Sequence, residues 1–208
     1  MTAKRKPYHH GDLRAALIDA AVRHIAARGT ENLSLRALAR EIGVSPTASY
    51  RHFPSRAALL AALATQGFEA LAARMLAAKA GARAYDRLLD IGVAYVDYAC
   101  ADPVRYQLMF GAVLDDFSPY VELRDAADAA FRVLQDAMRD GVAAGEFRDL
   151  PVNELCAAAW AAVHGVSGLL INQSAHPGQA KASPAAAAIR ALAPPRRTLD
   201  RLLSGLRA

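Results

Sequence analysis

Helix starts and stops recur every few residues in one short stretch of the N-terminal quarter. Ser34 is a plausible N-cap and Gly43 a helix stop, which together predict a short helix over 35–41. The Ser45-Pro46 pair places a capping side chain before a proline at the first helical position and predicts a second short helix over 46–52. The chain must therefore form two short helices joined by a tight turn.

A longer helix is predicted on each side of this pair. From Asp12 to Arg28 apolar residues recur mainly at three- and four-residue steps, and Gly29 ends the pattern. Ser55 can cap a long helix that runs from Arg56 to about Lys79. Two short helices with a glycine-containing turn, preceded by a third that packs on them, make a helix-turn-helix unit.

The remainder of the chain shows helical patterns and no convincing strand alternation. Hydrophobic residues make up 54% of the chain and aromatics only 7%, which favours closely packed helices over a β-sandwich. We therefore predict an all-α protein, with a helix-turn-helix DNA-binding domain over 1–56 and a helical effector-binding and dimerisation domain over 57–208. The predicted helices of the second domain, after the one that ends near 79, are 85–101, 103–114, 119–144, 151–173, one starting at 184, and 196–206.

Several classes of protein are excluded or disfavoured. Cys100 and Cys156 have no partner at disulfide-framework or zinc-ligand spacing, so we expect neither. The chain has no hydrolase, metalloprotease, P-loop or Rossmann motif, and we predict no catalytic residue, metal or cofactor. The N-terminus lacks a secretory apolar segment, which indicates a cytoplasmic protein. The uncharged stretch 155–171 is near membrane-spanning length, but Trp160, His164 and its glycines favour a helix buried in protein on all sides.

Positive charge is concentrated near the N-terminus. Residues 1–56 contain ten Lys and Arg against four Asp and Glu, whereas the whole chain has a formal net charge of +5. This asymmetry is typical of a phosphate-binding module attached to a near-neutral domain. An ordinary solvated basic surface would give the same count. Lys4, Arg5 and Lys6 are candidates for a DNA-binding arm or, alternatively, for a disordered basic tail.

The second short helix has the side chains that groove recognition requires. A major groove about 12 Å wide admits one helix, whose N-terminal residues meet the base edges. Thr47 and Arg51 are candidates to reach bases, and Tyr50 and His52 to hold phosphates. Ala48 and Ser49 are small residues of the same helix that let its backbone approach the DNA.

Residues 33–60 resemble the N-terminal DNA-binding domain of TetR/AcrR-type transcriptional regulators. The resemblance rests on the Gly43-Val44-Ser45 turn, the Tyr50-x-x-Phe53 pair and a basic residue, Arg56, just before the next helix. By position it implies that Arg36 and Thr47 contact bases and that Phe53 is a core residue. It further implies phosphate contacts by Ser34, Tyr50, His52 and Arg56.

The same resemblance implies a mechanism. Such regulators are bacterial homodimers that bind palindromic operators, and a small molecule in the C-terminal domain moves the paired recognition helices. Most of them are repressors. Trp160-Ala-Ala-Val-His164-Gly165, with Asp102 to Gly111 upstream, resembles the C-terminal type named for its Trp-His-Gly signature. That resemblance identifies no effector.

Aromatic and sulfur side chains of the second domain are candidates to line an effector site. Trp160 and His164 stand four residues apart and share a helix face, beside Gly165. A buried, hydrogen-bonded histidine next to a packed tryptophan would explain the same pattern. The other candidates, each of which would serve equally as core, are Tyr95, Tyr98, Tyr106, Met109, Phe110 and Phe131.

A leucine stripe on the last helix predicts an apolar contact face. Together with the uncharged helix over 155–171, this stripe is predicted to build a four-helix dimer interface. Docking of the stripe on its own subunit is the alternative. The residues assigned to the interface are Leu155, Leu169, Leu199, Leu202, Leu203 and Leu206.

Two other function classes compete with a ligand-responsive DNA-binding regulator. The first is an all-helical small-molecule-binding protein or enzyme with an incidental basic N-terminus, and the lack of catalytic motifs disfavours the enzyme. The second is an architectural DNA protein, for which charge should spread along the whole chain. The near-neutral remainder of the chain disfavours it.

Overall fold

The computed structural model describes residues 13–78, 83–111, 114, 116–175 and 183–208. The described residues form ten α-helices and no strand, which confirms the all-α prediction; one isolated β-bridge joins Phe147 and Arg207. A 3₁₀ turn, Ser204–Leu206, follows the last helix. The helices are α1 Leu13–Arg28, α2 Leu35–Ile42, α3 Pro46–His52, α4 Arg56–Ala78, α5 Ala84–Ala101, α6 Pro103–Phe110, α7 Val121–Ala143, α8 Val152–Ala175, α9 Pro184–Arg190 and α10 Pro195–Leu203.

Serine caps start the helices where the sequence predicts them. The Oγ atoms of Ser34, Ser45, Ser55 and Ser183 each accept a hydrogen bond from the backbone amide three residues later, at 3.0–3.2 Å. Such a cap satisfies one of the free amides of the first helical turn. Gly43 ends α2 with φ +80°, in the left-handed region that glycine tolerates. The predicted N-cap Asp12 lies outside the described residues.

Helix α6 departs most from its predicted bounds. The pattern predicts a helix over 103–114, but α6 ends at Phe110. The Gly111 amide closes the last turn on the Gln107 carbonyl at 2.8 Å. Leu114 lies beyond the helix end and is buried. Leu114 therefore fits the apolar pattern because it packs in the core, and not because the helix continues to it.

The chain divides into two compact units. The first comprises Met1–Gln66 and Val104–Arg124, and the second Gly67–Pro103 and Asp125–Ala208. In the first unit α1 packs on α2 and α3. Its core contains fully buried side chains from each of these helices or the residues next to them, namely Leu17, Ala21, Leu38, Ser49 and Phe53.

In the second unit α5, α8 and α10 pack against one another. A Cβ at Gly92 of α5 would lie 2.9 Å from Leu199 Cδ1 and 3.4 Å from Val163 Cγ1, so glycine permits this close approach. The Tyr85 hydroxyl donates to Asp200 of α10, where the carbonyl oxygen and Oδ1 both lie 3.0 Å away. Burial is the main cause that raises the pKa of Tyr85 to about 12, so its hydroxyl remains a donor at neutral pH.

Glu146, in the turn after α7, caps the start of α5. Its carboxylate accepts hydrogen bonds from the backbone amides of Ala84 at 3.0 Å and Tyr85 at 3.2 Å. Arg83 lies 3.8 Å from the same carboxylate. These hydrogen bonds lower the pKa of Glu146, because they stabilise the charged form. The capping residue thus comes from 62 residues along the chain.

Two described helices, α4 and α8, are long and apolar enough to cross a membrane when judged by length and composition alone. Core helices pass the same test, and α8 packs on α5 and α10. Its burial nevertheless differs from the prediction of a helix enclosed on all sides. Leu155 and Cys156 are buried, whereas Trp160 and Leu169 are exposed. Helices α5 and α10 thus enclose only one face of α8.

Candidate DNA-binding surface and effector domain

Helix α3 exposes four of the six candidate DNA-binding side chains in its sequence. Thr47, Tyr50, Arg51 and His52 are exposed, and the Tyr50 side chain reaches 43% exposure despite its aromatic ring. Residues three and four apart are neighbours on a helix surface, so Thr47 lies beside Tyr50 and Arg51. This surface combines hydroxyl, guanidinium and imidazole groups that suit base edges and phosphates. Ala48 is half-buried.

Ser49 does not belong to this surface, which corrects the prediction. Its side chain is completely buried, and its Oγ donates a hydrogen bond to the Pro46 carbonyl at 2.7 Å. Ser49 therefore lies on the face of α3 that packs into the first unit. Its small size still permits close packing, but between helices of the protein and not against DNA.

The remaining candidates differ in how free their side chains are. Arg36, on the first turn of α2, is exposed. Ser34 is exposed as well, with its hydroxyl occupied as the α2 cap. Arg56 is half-buried, and its Nη2 donates to the Thr30 carbonyl at 2.7 Å, so this guanidinium holds the turn between α1 and α2. Lys4, Arg5 and Lys6 lie outside the described residues.

Phe53 is buried, as the resemblance implies, and the Arg14 guanidinium lies 5.3 Å from the centre of its ring. This cation–π contact joins the first turn of α1 to the residue that ends α3. Helix α3 is thus stabilised at its start by the Ser45 cap and at its end by the buried Phe53. A helix of only seven residues needs such support because short helices are marginal alone.

Five of the predicted effector residues belong to the second unit. The Tyr95 hydroxyl of α5 and His164 Nδ1 of α8 lie 3.3 Å apart, at hydrogen-bonding distance. Trp160 meets both His164 and Phe131 edge-on, with ring centroids 6.3 and 5.9 Å apart. Burial lowers the pKa of His164, which keeps its imidazole neutral at pH 7. Tyr98 is buried, with the Arg74 guanidinium 5.5 Å from its ring centre.

The other three predicted effector residues belong to the first unit. Tyr106 and Met109 are buried on α6, and Phe110 is half-buried at its end. The rings of Tyr106 and Phe110 pack with centroids 5.0 Å apart. The candidate residues are therefore divided between the two units.

Three of the six predicted interface leucines instead pack within their own subunit. Leu155, Leu199 and Leu203 are at most 1% exposed, so they cannot also cover a partner. Leu199 lies beside Gly92 of α5, and the burial of all three leucines within one chain fits the alternative of docking on the same subunit. Leu206 is half-buried in the 3₁₀ turn. Leu169 and Leu202 are exposed and remain available for contact with another molecule.

The sequence-based candidates omit two polar residues of the second unit. Glu146 caps α5 from 62 residues along the chain, so the local sequence around α5 does not predict it. Ser167 is completely buried on α8, one helical turn after His164. Its position three residues after His164 was the available signal. Within the described part of the chain, no three His, Cys, Asp or Glu side chains gather as a metal site.

Comparison with known proteins identifies the family. Residues 17–63 match the family described as bacterial regulatory proteins, tetR family, and residues 88–193 match the Tetracyclin repressor-like C-terminal domain. An HTH-type transcriptional regulator of Mycobacterium tuberculosis is 28% identical over 140 residues, which cover 65% of this chain and 60% of that protein. The chain thus aligns with less than two thirds of that relative's length.

Two solved structures share the fold. A protein of unknown function from Rhodococcus sp. RHA1 is 31% identical with TM-score 0.76, over 98% of this chain and 100% of that one. A regulatory protein of the tetR family from Rhodococcus RHA1 is 21% identical with TM-score 0.67, over 93% and 96% of the two chains. Because the family matches cover both the helix-turn-helix helices and more than half of the chain, the chain belongs to the TetR family of bacterial transcriptional regulators, which are not enzymes.

Proposed function

We propose that the chain is a homodimeric regulator that binds a palindromic operator through α3 and releases it when a small molecule binds the C-terminal domain. The observation that carries this proposal is the set of exposed polar side chains on the two helices of the helix-turn-helix, namely Arg36 on α2 and Thr47, Tyr50 and Arg51 on α3. We propose that the protein acts as a repressor, as most regulators of this type do. Its expected compartment is the cytoplasm, where the operator lies.

The two proposed domains differ in charge and in proposed function. Residues 1–56 are proposed as the DNA-binding domain, with Lys4, Arg5 and Lys6 as a phosphate-binding arm. Residues 57–208 are proposed as the effector-binding and dimerisation domain, of the Trp-His-Gly type by virtue of Trp160, His164 and Gly165. An effector acts only if its affinity differs between the DNA-bound and released conformations.

The exposed face of α8 is proposed as the dimer contact. It carries Ala161, Gly165, Gly168 and the 46%-exposed Leu169. A Cβ built at Gly165 or Gly168 would meet no described atom within 4 Å, so this face is open. Small residues let a second helix approach closely, and the exposed Leu202 of α10 supplies further apolar surface.

The deciding experiment is selection of operator DNA from random duplexes at about 0.15 M salt, where sequence-blind binding is weakened. We expect wild-type protein to recover a palindrome with half-sites about 34 Å apart. Arg36→Ala and Tyr50→Ala should each weaken binding to it. Arg132→Ala, which removes an exposed charge from α7, is the matched control and should bind as wild type does.

Other outcomes favour the competing functions. Binding that is salt-sensitive and indifferent to sequence would favour an architectural DNA protein. A single asymmetric half-site would refute the homodimer. Absence of DNA binding would favour a small-molecule-binding protein in which the basic N-terminus is incidental.

A further inference from the structure

Helix α8 brings three polar or aromatic side chains onto one edge of its buried face. Trp160, His164 and Ser167 are spaced i, i+4 and i+7, so they lie above one another along two turns of the helix. Tyr95 of α5 reaches the same edge, because its hydroxyl lies 3.3 Å from His164 Nδ1. Phe131 of α7 adds an aromatic ring against Trp160. All five residues belong to the second unit.

The Ser167 hydroxyl is the unexplained group of this cluster. Its side chain is completely buried, yet Oγ has no hydrogen-bond partner among the described residues. A buried hydroxyl without a partner destabilises a protein by roughly 1–3 kcal/mol. Serines inside helices usually avoid this by bonding to the carbonyl four residues earlier, as Ser174 does with Leu170 at 3.0 Å. Ser167 therefore has a free donor and acceptor one turn from His164.

The three polar side chains carry no fixed charge. Tyr95 and Ser167 present neutral hydroxyls, and the lowered pKa of His164 leaves its ring as one donor and one acceptor at pH 7. A carboxylate or ammonium group buried against them would lose hydration without gaining an opposite charge. The neighbouring rings of Trp160 and Phe131 offer apolar surface, and Trp160 remains 41% exposed, so a ligand can reach the Trp160 ring from solvent.

We propose that the Tyr95 hydroxyl, the His164 imidazole and the Ser167 hydroxyl form the polar end of the effector site, and that the effector is an uncharged ring molecule with a hydroxyl or carbonyl group. The ligand oxygen accepts the proton that Ser167 leaves unused, and the ring packs against Trp160. This inference rests on the proposed effector function of the C-terminal domain. Because α8 also carries the proposed dimer face, a ligand here acts directly on the helix that joins the subunits.

The test uses the emission of Trp160, which is the only tryptophan in the chain and therefore reports on this site directly. Full-length protein is titrated with two matched probe sets. The smaller set is cyclohexanol, cyclohexanone, cyclohexanecarboxylate and cyclohexylammonium, and the larger set carries the same four groups on decalin. We expect an alcohol or ketone to bind more tightly than the carboxylate or ammonium on the same ring.

Ser167→Ala separates a ligand contact from a structural one. The substitution should weaken the alcohol or ketone about fivefold to tenfold, as expected for one lost hydrogen bond. Ligand-free Ser167→Ala should be at least as stable as wild type, because it removes an unpaired buried hydroxyl. Ser174→Ala, on the same helix, is the matched control and should not change the affinity of any probe.

Four results would overturn the proposal: tighter binding of the carboxylate or ammonium probes, no binding of any neutral probe at millimolar concentration, unchanged affinity in Ser167→Ala, or marked destabilisation of that variant without ligand. Operator binding is measured separately on the same protein. DNA binding without probe binding refutes only this site. Probe binding without DNA binding refutes the proposed operator binding but supports the ligand site.

Discussion

Ser49 and Thr47 lie two residues apart on α3 but have opposite environments. Thr47 is exposed, while Ser49 is completely buried and donates to the Pro46 carbonyl. We expect Ser49→Ala to lower the free energy of unfolding by about 1 kcal/mol, because it removes a buried hydrogen bond. The folded variant should keep its operator affinity within about twofold.

Thr47→Ala is the matched variant and should show the reverse. Its stability should stay within about 0.5 kcal/mol of wild type, as is usual for exposed sites. Its operator affinity should fall severalfold. Urea unfolding and fluorescence anisotropy with labelled operator measure the two quantities. If Ser49→Ala weakened DNA binding as strongly as Thr47→Ala, Ser49 would belong to the DNA-binding surface after all.

Gly141 on α7 has no room for a side chain. An added Cβ would lie 2.1 Å from the Phe147 ring atoms Cδ2 and Cε2, so the ring would have to move. We expect Gly141→Ala to destabilise the protein by about 1–3 kcal/mol through this overlap, although alanine otherwise favours helices. Phe147→Leu in the same chain should recover part of the loss. Additive losses in the double variant, measured by urea unfolding, would contradict the overlap.

At the scale of elements, the start of α5 depends on Glu146. Its carboxylate accepts both the Ala84 and Tyr85 amides, whereas Arg83, at the N-cap position, makes no side-chain capping hydrogen bond. We expect Glu146→Gln to lower the melting temperature at pH 7, because a neutral amide accepts these hydrogen bonds less strongly than a carboxylate. Glu154→Gln, an exposed acid in the first turn of α8, serves as the control and should have a smaller effect.

The Glu146 contribution depends on pH in one direction. Hydrogen bonds from Ala84 and Tyr85 lower its pKa in the folded protein, so the unfolded chain takes up the proton first as pH falls. The stabilisation is complete above the pKa of the unfolded state and disappears as pH falls through the lowered pKa of the folded state. Melting curves of wild type and Glu146→Gln should converge in that acidic range. A difference in melting temperature that persists there would exclude the capping charge as its cause.

At the scale of the whole molecule, the proposed dimer depends on the exposed face of α8. We expect wild-type protein to have about twice the 22.1 kDa mass of one chain in light scattering. Leu169→Arg should shift it towards one chain, because a charge in an apolar contact is not paired. Leu76→Arg, at a leucine of α4 that is also exposed, is the control and should not change the mass.

The proposed dimer should also govern DNA binding. Two recognition helices on one palindrome bind with a high effective concentration, so a monomer should lose operator affinity by a hundredfold or more, on the order expected for linked sites. Leu169→Arg should therefore bind the operator much more weakly than Leu76→Arg. A monomeric wild-type protein, or a dimer that survives Leu169→Arg, would place the contact elsewhere.

The starts of four helices and the end of α2 were predictable from the sequence alone. Ser34, Ser45, Ser55 and Ser183 cap helices at the predicted positions, and Gly43 ends α2. These features are local: a cap involves an amide three residues away, and a left-handed glycine involves only its own backbone. The helix-turn-helix motif consists almost entirely of such local features. For that reason its residues also carried the family resemblance.

Only the tertiary structure decided which side of each helix faces inward. Ser49 is enclosed beside exposed neighbours, and the leucine stripe of α10 divides into buried Leu199 and Leu203 and exposed Leu202. The spacing of apolar residues in the sequence indicates that a helix has a buried side, but it does not identify the element that packs against that side. Glu146 and Ser167 show the same limit, since the cap of α5 comes from a distant turn and the unpaired hydroxyl appears only once α8 is packed. Local chemistry determined the helices, whereas burial and contacts between distant segments determined the sites.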